Sequence, residues 1–160
     1  MASQRETLAR LWARCAALPK GRWLFSRVFG RFVPYSGTIG ATVMSLEPGR
    51  CVAQLPDRRH VRNHLNSIHA VALVNLGEMT SGLAMTMLLP DEVRGIVTGL
   101  EAEYLKKARG LLVAEANVVM PALGSEPVDH RVETLIRDGA DDVVCRVRTT
   151  WRLSAQGGVR

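Results

Sequence analysis

The stretch from Ser67 to Leu89 constrains this chain more than any other: nearly every residue in it is apolar or small. It is long enough for about six helical turns, and a helix of that composition must be surrounded on almost all sides. Within "NHLNSIHAVALVNLGEMTSGLAM", residues 63–85, a single carboxylate, Glu78, sits near the centre. A membrane span has a suitable length, but His69, Asn75 and Glu78 interrupt it, and a central acidic side chain costs roughly 2.5–3.5 kcal/mol on insertion. Burial beneath a curved antiparallel sheet accounts for the same pattern, and segments able to form that sheet lie on both sides.

Before the helix, "TIGATVMSLEPGRCVAQLP" reads as two short strands joined at Pro48-Gly49. After it, "GIVTGLEAEYL" alternates, with Ile96, Thr98, Leu100, Ala102 and Tyr104 on one face and Glu101 and Glu103 on the other. "LLVAEANVVM", "HRVETLI" and "VVCRVRTTWRL" complete the strands, the last two joined through Asp138-Gly139. The final strand places Val143, Cys145, Val147 and Trp151 inward and Arg146, Arg148 and Arg152 on a solvated face.

Residues 5–18 carry Leu8, Leu11, Trp12, Cys15 and Leu18 at helical spacing, ended by Pro19. A second short helix follows, in which Leu24, Phe25, Val28, Phe29 and Phe32 interleave with Arg22, Arg27 and Arg31 until Pro34. Two helices packed on the sheet is the expected arrangement. A basic helix on a membrane surface is the alternative for this segment, and such contact is not expected.

With 160 residues, 47% hydrophobic and 22% charged, the chain suits one globular domain, and 5% aromatic residues imply an aliphatic core. Cys15, Cys51 and Cys145 are isolated, matching neither a disulfide framework nor a zinc spacing. That predicts a reducing, cytoplasmic location. The opening "MASQRETLARLWARCAALPKGRW" reads as part of the fold, without the pattern of a secretory signal. His60, His64 and His69 match no tight ligand motif, so no metal is expected. The net charge of +6 favours anionic partners. Nucleic acid is disfavoured, because no aromatic platform accompanies the arginines.

An ionised carboxylate inside such a fold is costly unless paired or solvated. Glu78 therefore either meets an arginine or water, or serves in a cleft as base or nucleophile. Ser67 is a candidate N-cap, leaving backbone N–H groups at the helix start able to stabilise an oxyanion. Ala70 and Glu78 are eight residues apart, about 12 Å along a helix. No single carbonyl touches both, so if the two cooperate they come from different subunits.

"RNHLNSIHAVALVNLGE" resembles the central helix of the hotdog-fold acyl-CoA thioesterases, especially the phenylacetic-acid-degradation type and its uncharacterised relatives. The matching pattern is Asn63, His69, the small Ala70 directly after it, and Glu78. "EYLKKARG", residues 103–110, resembles the strand end that runs past the CoA moiety in that family. The resemblance covers residues 36–153 and implies a single α+β hotdog domain, an antiparallel sheet wrapped around a long helix, with residues 1–35 as an N-terminal helical extension. It implies hydrolysis of an acyl-CoA or acyl-carrier thioester at the interface of a homodimer or homotetramer, with no cofactor beyond the coenzyme A of the substrate.

By the same resemblance, Glu78 activates water or attacks the thioester carbonyl, and Asn63 polarises that carbonyl or positions the water. The Ala70 N–H sits in the neighbouring subunit's oxyanion hole, and His69 shapes the loop. Lys106, Lys107 and Arg109 are candidates for the CoA phosphates, with Arg58, Arg59 and Arg62 on the same rim. Two departures stand out: many relatives have Gly-Gly where this chain has Ala70-Val71, and a serine of some relatives corresponds to Val97. The competing readings are a non-catalytic acyl-binding hotdog protein and a hotdog dehydratase or hydratase, whose Asp-His pairing is not evident.

Overall fold

The computed structural model describes residues 3–155. Three helices come first: α1 (Gln4–Ala16), α2 (Gly21–Phe32) and the single turn α3 (Pro34–Gly37). Ser3 caps α1 by accepting a hydrogen bond from the Glu6 N–H at 3.1 Å. Trp12 meets Phe25 edge-on at 5.0 Å, joining α1 to α2. The strands β1 (Thr42–Glu47) and β2 (Arg50–Leu55) form a hairpin whose turn places Gly49 at φ +79°. A short helical turn, Arg59–Val61, leads to the long helix α4 (Ala70–Leu88). The strands β3 (Val93–Tyr104), β4 (Leu112–Asn117), β5 (Val128–Arg137) and β6 (Val143–Ala155) complete the chain.

All six strands form one antiparallel sheet in the order β1-β2-β4-β5-β6-β3, and α4 packs against its concave face. This is the hotdog arrangement. The apolar surface of α4 goes into a core of Leu73, Leu76, Leu83, Ala84 and Met85 against Leu55, Leu112, Ile136 and Val147.

The few polar groups of α4 that face the sheet have partners. The Thr134 hydroxyl donates to the Gly77 carbonyl at 3.0 Å, and the Ser81 and Thr149 hydroxyls lie 3.2 Å apart. Thr134→Val is expected to cost about 1 kcal/mol in urea unfolding, because it removes one buried hydrogen bond while conserving shape.

Two expectations are corrected. The helix begins at Ala70, capped by His69, whose Nδ1 accepts from the Val71 N–H at 3.1 Å; Ser67 is not the cap. Ser67 is held in a loop by Asn63, and Ile68 N–H donates to the Ala108 carbonyl at 2.8 Å, so tertiary pairing overrides the local capping preference.

The second correction concerns the single face assigned in β3, which is broken by a bulge. Val97 pairs with Trp151 and Gly99 with Thr150, leaving Thr98 as the extra residue. Ile96 and Thr98 therefore share the outer side, whereas Leu100, Ala102 and Tyr104 register with the inward Thr149, Val147 and Cys145.

The arginine row on β6 is a ladder of cross-strand ion pairs: Arg146 with Glu103, Arg148 with Glu133, and Arg152 with Asp129, at 3.2, 2.9 and 2.8 Å. Such exposed pairs set register more than they add stability.

Candidate functional site

Glu78 lies midway along α4, on the one strip of that helix not covered by the sheet. It is half-buried and borders a cleft of about 320 Å³ formed where α1 and α2 fold over α4. Leu8 and Leu11 of α1, Phe29 and Phe32 of α2, and Met79, Leu83 and Trp151 give this cleft apolar walls. No cation is paired with Glu78 among the described residues; burial alone pushes its carboxyl above the ordinary value of 4.5. A carboxylate in that condition accepts a proton more readily near neutral pH than an exposed one.

Gly82 lies one turn beyond Glu78 and also lines the cleft. A Cβ at Gly82 would come within 3.8 Å of Glu78 Oε1 and 3.4 Å of the Trp151 ring. The Trp151 Nε1–H is buried and has no hydrogen-bond partner among the described residues. The cleft therefore combines one uncompensated carboxylate, an apolar wall and an indole.

The start of α4 opens elsewhere. His69, Val71, Ala72 and Asn75 line a separate hollow of about 210 Å³ together with Tyr35 and His60. Asn75 ties α3 to α4, its Nδ2 donating to the Tyr35 carbonyl at 3.1 Å, while its Oδ1 is buried without a partner among the described residues. Tyr104 donates its hydroxyl hydrogen to the Ala70 carbonyl at 3.3 Å. Ala70 is half-buried and His69 exposed.

Asn63 does not approach Glu78 within one chain. Its side-chain oxygen accepts from the Leu65 N–H at 2.9 Å and from the Ser67 N–H and hydroxyl, both at 3.3 Å, closing the loop before α4.

The basic candidates divide. Lys106 is committed to the β5–β6 turn, its Nζ 2.7 Å from Asp138 and 2.6 Å from Asp142, and those carboxylates raise its pKa. Arg62 pairs with Asp57, and Arg109 donates to the Asn66 carbonyl at 3.2 Å. Lys107 and Arg59 are exposed, and neither is ion-paired among the described residues. Arg58 lines a cavity of about 400 Å³ together with residues of α2.

The three thiols are buried and unbridged. Burial pushes Cys51 up to about 12 and Cys145 up to about 11, so neither supplies a thiolate nucleophile at neutral pH.

Residues 21–153 match a family described as a domain of unknown function, DUF4442. The chain belongs to that family. No curated protein matches it. Among solved structures, this DUF4442 chain is similar to the structural-genomics protein APC5556, at 29% identity and TM-score 0.80, over 92% of this chain and 97% of that one. It is also similar to PA5026 from Pseudomonas aeruginosa, a protein of unknown function and probable thioesterase, at 23% identity and TM-score 0.68, over 86% of this chain and 97% of that one. The Haemophilus influenzae thioesterase HI1161 shares 18% identity and TM-score 0.66, over 77% of this chain and 84% of that one. At such identities the last two speak for the fold.

Sequence reasoning missed the walls of the DUF4442 cleft. Trp151 was assigned to the core, and α1 and α2 were assigned no part in the site. One signal was available: a glycine four residues after a lone acid on an apolar helix.

Proposed function

We propose that the protein hydrolyses acyl thioesters, with Glu78 as general base. The observation that carries this reading is the Glu78 carboxylate, uncompensated and with a raised pKa, bordering an apolar cleft. A purely structural acid at that place gains nothing from its surroundings. In the reaction Glu78 takes a proton from water as the water oxygen bonds to the thioester carbonyl carbon. The tetrahedral oxyanion then collapses, the C–S bond breaks, and the thiolate leaves with that proton.

Glu78 and the helix start open into different hollows of one chain, so the oxyanion donor comes from a second copy, through its Ala70 N–H. The start of α4 and the inner side of edge strand β3 support such pairing: Val71 of α4 and Leu100 and Tyr104 of β3 are 51%, 47% and 50% exposed. A homodimer covering this patch brings the two half-sites together, and His69 and Asn63 then hold the loop that presents the Ala70 N–H.

The test is thiol release from a panel of short, long and aryl CoA esters by the native protein, with oligomeric state measured in parallel. Release that Glu78→Gln abolishes in an intact dimer supports the reading. Saturable acyl-CoA binding without release from any ester overturns it in favour of a non-catalytic acyl-binding protein.

A further inference from the structure

A cavity of about 400 Å³ lies between α2, α3 and β1, outside the Glu78 cleft. Three arginines line it, Arg27 and Arg31 from α2 and Arg58 from the loop after β2, and no carboxylate does. None of the three is ion-paired among the described residues, whereas the arginines of β6 each have a carboxylate. Like charges gathered around one hollow repel unless an anion joins them.

The three arginines are exposed at the rim, and two of them have neighbours that position them. The Arg27 guanidinium stands 5.7 Å from the centre of the Trp23 ring. Ser26 accepts from the Val43 N–H at 2.8 Å and donates to the Arg22 carbonyl at 2.7 Å, fastening α2 to β1. Gly40, at φ +65°, leaves room for Arg58: a Cβ there would lie 3.2 Å from Arg58 Nη1. Part of the lining is bare backbone, since Gly30 and Gly37 touch so closely that a Cβ on Gly37 would stand 2.6 Å from the Gly30 carbonyl oxygen.

The geometry points to a binding site for a phosphate-bearing anion, held by Arg27, Arg31 and Arg58. Forked guanidinium groups match phosphate oxygens in pairs. Phe29, Ser36 and Met79 form part of both this cavity and the Glu78 cleft, so an anion here lies next to the apolar channel. The anion is then the phosphorylated end of the thioester's carrier group, an assignment that rests on the function proposed above. It also replaces Lys106, whose charge is already spent on Asp138 and Asp142.

Calorimetric titration of the full chain with inorganic pyrophosphate tests the site. Saturable binding is expected, weakened at least about tenfold in Arg27→Gln/Arg31→Gln and unchanged in the charge-matched control Arg14→Gln/Arg94→Gln. Equal affinity in both double variants, or no saturable binding by the native protein, overturns the proposal. Co-sedimentation with phosphatidylglycerol–phosphatidylcholine vesicles distinguishes the source of the phosphate. Vesicle binding that pyrophosphate fails to displace makes the arginines a membrane-docking face and overturns the soluble-anion site. Glu78→Gln is expected to bind pyrophosphate as the native protein does. Binding without thioester cleavage therefore sinks only the catalytic reading, and cleavage without binding sinks only this one.

Discussion

Glu78→Gln is expected to move activity and stability in opposite directions. Thiol release should fall by about 10²-fold or more, the usual contribution of a positioned general base, while the melting temperature at pH 8 should rise by about 2–4 °C. The amide keeps the shape of the side chain and removes a charge that the cleft does not compensate.

The pH dependence fixes the sign. The folded-state carboxyl titrates above its ordinary value of 4.5, so between those two values the native state holds more protons than the unfolded chain. Stability therefore falls as pH rises through that window. The gap between native and variant is absent below about pH 4.5, opens as the folded carboxyl ionises, and is full above its raised value. Thermal melts of both proteins across pH 4–8 check this, and a native protein more stable than the variant at pH 8, with the difference closing towards acid, would show that Glu78 is stabilised by a partner. The activity of the native protein should rise through the same raised value, since the base must be ionised to accept a proton.

Gly77→Ala is expected to be strongly destabilising. At Gly77, α4 lies directly on β6: a Cβ there would come within 2.4 Å of Val147 Cβ and 2.5 Å of its Cγ2. Neither side yields cheaply. Val147 is fully buried, and the Gly77 carbonyl is held by the Thr134 hydroxyl. The helix must lift off the sheet, and overpacking of that kind costs about 3 kcal/mol. This exceeds the gain of up to about 1 kcal/mol that alanine brings to a helix interior.

Urea unfolding of Gly77→Ala, Val147→Ala and the double variant tests the mechanism. The double variant should lose less than the sum of the two single losses, because the smaller β6 side chain admits the new methyl. Strict additivity would place the damage somewhere other than this contact.

How much of this was legible beforehand differs from element to element. The uninterrupted apolar run of α4 announced a surrounded helix, and the Pro48-Gly49 turn announced the first hairpin. Both rest on local physics, side-chain hydrophobicity and turn geometry. The bulge at Thr98 had no such signal, because Thr98 continues the alternation on either side and only the register against β6 makes it the extra residue. Ser67 had the right chemistry for a cap and lost that role to its bonds with Asn63 and to the pairing of Ile68 with Ala108 in the β3–β4 loop.

The site divides in the same way. A lone acid in the middle of an apolar helix is visible in one dimension, and Glu78 was singled out on that ground. Its cleft was not visible, because Leu8, Phe29 and Trp151 meet there from three distant parts of the chain. Charge followed the same rule. The sequence counts 21 lysines and arginines without distinguishing them. Lys106, Arg146 and Arg152 are neutralised by carboxylates that folding brings alongside, and Arg27, Arg31 and Arg58 are gathered around a hollow that holds none. Composition and periodicity determined the layers of this protein, since hydrophobic burial is set by which residues are apolar and how often they recur. Which carboxylate is left uncompensated, and which arginines are left unpaired, only the tertiary structure decided, because electrostatic pairing depends on distances between residues far apart in the chain.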